Sequence, residues 1–317
     1  MRVPVKRGGT GRALRGAGVV VAGVLLAAGL SGPQDATARP VVPAPTAPAR
    51  GTVPGRAIGT HAVTARDRAA VERFRRLRGG AGALRPAAST NHKWWGTKVA
   101  AGGAGVLGLS ATQTLDPALT LSDADDVLYA PTFKPGPGAC IELVTVHTDS
   151  GAEIWAWDWC TNSGTDIGAT VTVEDAFLAR YGTTVGGRTA YSAKVEQTDA
   201  TSNTWTAYLY DYSAGVWRTF FTSNGTDHSG VAYGWDMFEY YSAVDPATGN
   251  VQVCDDLAGR TVESGATQIR DAAGWSAAVP ANSSVFPKPA MDPAGYLCAG
   301  IHSQVVTPNS DWRVTVS

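Results

Sequence analysis

The sequence predicts an all-β protein over residues 89–317, folded as a two-sheet antiparallel β-sandwich. Three observations carry that reading. Helical periodicity nearly vanishes after residue 88, where only 173–181 has the pattern of a helix, two turns long. Short alternating runs rich in Val, Thr, Tyr and Trp recur instead, split by Gly, Asp, Asn and Ser turns. All 10 Trp, all 10 Tyr and all 4 Cys of the 317-residue chain lie beyond residue 88, so only that part can build an aromatic-rich core. About a dozen strands in a stretch of this length fit one sandwich better than two domains.

The start of the chain reads as an address. Arg2, Lys6, Arg7, Arg12 and Arg15 form a basic stretch, residues 17–30 are uncharged and apolar, and Ala36-Thr37-Ala38 has the small-x-small pattern of a cleavage site. As a helix the apolar run spans about 21 Å, short of the ~30 Å hydrocarbon core. A secretory signal peptide, 1–38, is therefore expected rather than a stable membrane anchor.

Residues 39–60 have the Pro, Ala, Gly and Thr composition of an extended linker. In 61–78, Val63, Ala70, Val71, Phe74 and Leu77 fall roughly on one helical stripe, Arg covers the rest, and Gly79-Gly80 closes it. The formal net charge of −1 hides a split: residues 1–88 hold 15 basic and 3 acidic residues, a net +12, and 89–317 hold 11 and 24, a net −13. The acidic domain argues against nucleic acid as a partner, because phosphate binding needs a basic face. Residues 39–88, with 10 Arg and 2 acids, read either as a solvated linker or as a basic pro-segment. The pro-segment would dock on an acidic cleft until proteolysis or acid, which neutralises carboxylates, releases it. Membrane-surface binding by the basic helix is a third option.

Within the domain, 189–197, 203–212 and 216–222 read as a meander, and 231–244 with 250–254 as a hairpin around Asp245-Pro246-Ala247-Thr248-Gly249. Secreted context and an even Cys count predict disulfides, with Cys140–Cys160 and Cys254–Cys298 favoured among three possible pairings. Cys140 and Cys160 lie symmetrically about Ser150. Pairing them across a hairpin gives a register in which opposite residue numbers sum to 300. Ile141 then faces Trp159, Leu143 faces Trp157 and Thr145 faces Trp155, while Glu142 faces Asp158 on the other side. No CxxC or His-containing metal spacing occurs, so neither a metal nor a cofactor is expected.

Glu142 opposite Asp158 is the most informative pair. Like charges in cross-strand register destabilise a sheet unless solvated, proton-sharing or cation-bound. A carboxylate pair with one raised pKa is also the equipment of acid–base hydrolysis. The plain alternative is a solvent-facing pair, or a register one step off. Trp155, Trp157 and Trp159 form a stripe, either core packed on Ile141 and Leu143 or a platform for sugar rings and Pro-rich peptides. In 231–241, Tyr233, Trp235, Met237, Glu239 and Tyr241 share one face and Asp236, Phe238 and Tyr240 the other. Both faces are largely apolar, as in a central strand, so Glu239 is either partly buried or lines a cleft. Trp155, Trp157, Trp235 and Tyr241 are the candidate substrate-binding residues. The Gly-x-Ser-x-Gly and His-Glu-x-x-His patterns are absent, and adjacency of Asp227, His228 and Ser229 is not triad geometry.

Four segments resemble the neprosin-like proteins, secreted glutamic peptidases with a pro-segment and a concanavalin-like β-sandwich. Trp95-Gly96-Thr97-Lys98-Val99 is similar to that family's aromatic-Gly-x-Lys-Ala strand. Ile141-Glu142 is similar to its Ile-Glu-Ala-Gly-Trp segment, with Leu143-Val144 where the family has Ala-Gly. The run 209–217 is similar to its Lys-Asp-x-x-x-Gly-x-Trp-Trp turn, and Gly234-Trp235-Asp236-Met237-Phe238 to its Gly-Tyr-Trp-Pro-x-x-Leu-Phe run, without the Pro. The resemblance implies Glu142 as one catalytic carboxylate, with Glu239 as the candidate second and Asp158 the substitute. The expected activity is acid-acting endopeptidase: Glu142 takes a proton from water and Glu239 or Asp158 donates one. The alternatives are a non-catalytic polysaccharide-binding sandwich using the Trp residues, and a glycosidase using Glu142 and Asp158.

Overall fold

The computed structural model describes residues 90–99, 105–161 and 166–317. The expected signal peptide, 1–38, and the expected linker or pro-segment, 39–88, lie outside the described residues. The domain is all-β, as the alternation predicts, and consists of two antiparallel sheets stacked as a sandwich.

The first sheet has seven strands in the order β14 (Ser283–Phe286), β1 (Asn91–Val99), β11 (Trp235–Ser242), β3 (Val127–Lys134), β4 (Ile141–Thr148), β5 (Gly151–Asp158) and β6 (Asp166–Thr172). The second runs β10 (Val216–Ser223), β9 (Thr204–Asp211), β8 (Arg188–Asp199), β2 (Gly108–Thr114), β12 (Thr261–Asp271), β16 (Asp311–Val316) and β15 (Ile301–Thr307). Two short strands, β7 (Gly182–Val185) and β13 (Gly274–Ala277), pair with β8 and β12. The β8–β9–β10 meander and the two-turn helix Asp175–Tyr181 follow the sequence pattern closely.

Alternation places one side of each strand between the sheets. Phe133, Ile141, Leu143 and Ile154 of the first sheet pack with Leu109, Val195, Trp205 and Leu209 of the second. Further along, Trp95, Leu128, Phe238 and Tyr240 pack with Val262, Trp312 and Val314. Fully burying such side chains contributes roughly 1.5–3 kcal/mol each. A polar knot interrupts this layer. Asp236 is fully buried and accepts from Gln113 Nε2 (3.3 Å), Ser264 Oγ (2.7 Å) and Thr267 Oγ1 (3.0 Å).

Two sequence expectations need correction. The expected strand at 250–254 is instead a single bridge, Val244–Val251, followed by the short helix Gln252–Asp256. The turn is formed, with Gly249 N–H donating to Asp245 O, but the chain then turns inward and buries Val253 and Cys254. The Cys140–Cys160 and Cys254–Cys298 disulfides are both present. The hairpin register is one residue off: Thr148 pairs with Gly151 and Glu142 with Trp157. A two-residue turn, Asp149-Ser150, sets that register, whereas symmetry about Ser150 implies a turn with an odd number of residues. The disulfide closes one step beyond the ladder, next to the bond from Trp159 N–H to Cys140 O.

Candidate active site

The one-residue slip changes which side chains meet. Glu142 shares a face with Trp155, Trp157 and Trp159, the face turned away from the second sheet, while Ile141 and Leu143 point into the sandwich. Asp158 stands opposite Ile141 and goes with it to the other side. There it accepts from Ser223 Oγ (2.7 Å) and Cys160 N–H (2.9 Å), holding the end of the hairpin. The structure therefore does not bring Asp158 to Glu142.

Glu239 does reach the Glu142 side. It lies on β11 with Trp235, Met237 and Tyr241, and β11 is third in the sheet, flanked by β1 and β3. An irregularity in β3 between Tyr129 and Thr132 turns both of these residues to the same face, although three positions apart they would otherwise alternate. Tyr129 stands opposite Glu239 and Thr132 opposite Met237. A cleft of ≈ 230 Å³ results, with Glu142, Glu239, His92, Trp159, Trp235 and Tyr241 among its lining residues.

The two carboxyls have unlike surroundings. Glu142 is 6% exposed, and its oxygens accept from Thr132 Oγ1 (2.5 Å), Trp159 Nε1 (3.0 Å) and Trp235 Nε1 (3.2 Å). Burial pushes its pKa up to about 7, the charge of Glu239 adds to the rise, and the three hydrogen bonds oppose it. Glu239 sits at the mouth, its side chain 14% exposed. It accepts from Tyr241 OH (2.7 Å) and meets His92 Nε2 at 2.5 Å. The His92 ring stacks on Tyr241, 4.1 Å between centroids and 9° from parallel, which fixes the imidazole beside the carboxylate. One carboxyl is thus protonated near neutrality, and the other is partnered by a basic ring. Both are the raw material of general acid–base catalysis.

Of the residues expected from sequence, Glu142, Glu239, Trp235 and Tyr241 line this cleft. Trp155 and Trp157 share its face but are buried, 1% and 2% exposed, among Val144, Val146 and Ile167. They form no open platform for sugar rings, and Trp155 Nε1 is spent on Glu153 Oε2 (2.7 Å). Sequence reasoning missed His92, Thr132 and Tyr129. His92 had a usable signal: two residues before Trp94, it shares the alternation phase of that strand. For Thr132 and Tyr129 the only signal was Pro131 between them, a residue that cannot donate to a ladder and that marks the irregularity in β3 from which their common facing comes. Among the described residues, no group of three or more His, Cys, Asp or Glu is placed to hold a metal ion. No described helix is long and apolar enough to cross a membrane.

No family model matches the chain, and no curated protein matches it. Solved structures similar to it include scytalidoglutamic peptidase with a transition-state analogue inhibitor, at 10% identity and TM-score 0.42. Another is SCP-B, a member of the eqolisin family of peptidases, in complex with the tripeptide Ala-Ile-His, at 9% identity and TM-score 0.38. Each match covers 72% of this chain and 100% of the other. The chemistry of the cleft itself carries the functional reading.

Proposed function

We propose that the domain is a glutamic-type endopeptidase, the class implied by the resemblance to neprosin-like proteins, with Glu142 and Glu239 as its catalytic carboxyls. The observation that carries this reading is their placement in one aromatic cleft with unlike partners, hydroxyl and indole donors around buried Glu142 and an imidazole beside Glu239. The roles are the reverse of those expected from sequence. Glu239, partnered by His92, takes a proton from a water, whose oxygen attacks the scissile carbonyl carbon. Glu142, still protonated, donates its proton to the carbonyl oxygen. Glu239 then passes its proton to the amide nitrogen, the C–N bond breaks, and a hydroxyl proton of the tetrahedral intermediate returns to Glu142 as the carbonyl re-forms, which restores both groups. Activity requires protonated Glu142 and so falls as the pH rises past about 7.

Secretion and synthesis as a zymogen belong to the same proposal. The domain beyond residue 88 carries a net charge of −13. The basic 61–78 segment has the charge to dock on the acidic cleft of that domain in the latent form. The test is hydrolysis of an unfolded protein substrate from about pH 3 to about pH 8, with Glu142→Gln and Glu239→Gln each expected to lose ~10²-fold or more. Full activity in either variant removes that residue from catalysis. A wild type that cleaves nothing, with or without residues 39–88, removes the reading.

A further inference from the structure

The 224–234 segment between β10 and β11 forms one wall of the cleft. It carries Val231 and Tyr233 into the lining and delivers Trp235, whose indole donates to Glu142. This irregular segment has no ladder to hold it; backbone bonds fix it at His228, which donates to Trp159 O, and at Gly234, which accepts from Val99 N–H, and elsewhere its position depends on side chains and close packing.

Lys134, the last residue of β3, stands directly across from Trp235 and is 0% exposed. Its Nζ donates to Asp227 Oδ2 (2.8 Å) and to Gly136 O (2.8 Å), and lies 5.6 Å from the centre of the Trp235 ring. Asp227 belongs to the wall. Its Oδ2 also accepts from Gly138 N–H (3.0 Å), and its Oδ1 from Ser229 N–H (2.8 Å). One ion pair therefore ties the end of β3, the following turn and the wall into a single knot. Downstream the wall runs so close to β3 that a Cβ at Gly234 would lie 1.9 Å from Pro135 O. A buried pair of this kind contributes little net stability compared with apolar packing, and its best-attested use is to specify one geometry.

We propose that Lys134 and Asp227 are positioning residues: their ion pair clamps the 224–234 wall to the end of β3 and so aims the Trp235 indole at Glu142. This positioning does not depend on whether the cleft hydrolyses peptides, so the test uses no substrate. In the wild type, the indole N–H resonances of Trp159 and Trp235 both follow the titration of Glu142, since both donate to its carboxyl. Trp159→Phe and Trp235→Phe assign them, and Glu142→Gln abolishes the response. Trp159 serves as an internal control. The wall touches its backbone through His228 N–H, but it has its own anchors in the bond from its N–H to Cys140 O (2.7 Å) and the adjacent disulfide.

In Lys134→Met and in Asp227→Asn, the Trp235 response is lost and the Trp159 response persists. If Lys134→Met fails to fold, Asp227→Asn decides, because the amide keeps an acceptor for Ser229 N–H while removing the charge. A variant that melts at lower temperature with both responses intact overturns the proposal, since it shows a pair that only stabilises the fold.

Discussion

Replacing Glu142 with Gln tests the reasoning about the cleft most directly, because the structure sets both the sign and the size of the effect. The Glu142 pKa is about 7 in the fold against 4.5 for the free side chain, chiefly through burial. A carboxyl whose folded pKa is raised stabilises the fold in its protonated form. That stability is fully present below about pH 4.5 and is lost as the pH rises through about 7. The difference is about 2.5 units, or roughly 3 kcal/mol. Gln removes the titration. It also turns an amide N–H₂ toward one of the three donors, which costs about 1 kcal/mol of hydrogen bonding. The variant is thus expected to be slightly less stable than wild type at about pH 4 and more stable by ~2 kcal/mol at about pH 8. For a domain of this size that gain is a Tm rise of roughly 4–8 °C. Thermal denaturation of both proteins across the range gives two curves that cross. A Gln variant destabilised by the same amount at both ends refutes the reasoning, since it means that the pKa of Glu142 is the same in the folded and the unfolded chain.

The buried Asp236 supplies a second pH signature: burial raises its pKa to about 6, against its hydrogen bonds from Ser264, Thr267 and Gln113. Asp236→Asn is expected to flatten the fall in Tm between about pH 4 and pH 7 without touching the cleft, and an unchanged slope would show that Asp236 does not titrate there. Gly96 lies against β11, where an added Cβ would come within 2.4 Å of Asp236 O and 2.7 Å of Met237 Cα. Gly96→Ala should therefore cost about 1–3 kcal/mol in urea unfolding, and a neutral result would mean that β1 and β11 separate freely. The disulfides close loops of 44 residues for Cys254–Cys298 and 20 for Cys140–Cys160. Loss of the first should cost roughly 4 kcal/mol and of the second roughly 3 kcal/mol, and the reverse order in Cys→Ala pairs would contradict the loop-entropy account.

Local pattern decided much of this protein. Period-two alternation made the class all-β, and the β8–β9–β10 meander emerged at nearly its true bounds, because each strand buries one face and its turns carry Gly, Asn and Asp. The two-sided apolar character of 235–241 placed Glu239 on a central strand with Trp235 and Tyr241 beside it, and Glu142 stood out through the Ile141-Glu142 resemblance and its place in the Cys140–Cys160 hairpin. Where pattern failed, the missing quantity was a registration of one residue. Spacing of two cysteines locates a hairpin but does not count the residues in its turn, and one step sends Asp158 to the far side of the sheet while bringing the Trp stripe round to Glu142. Pro131 marks where β3 is irregular but not which faces result, and the stacking of His92 on Tyr241 joins strands far apart in sequence, so their phases alone do not announce the contact. Sequence therefore named the acids and their strands. Only the pairing of β4 with β5, and of β11 with β1 and β3, decided which acid faces which, because facing in a sheet is set by registration between chain segments rather than by the residues within one.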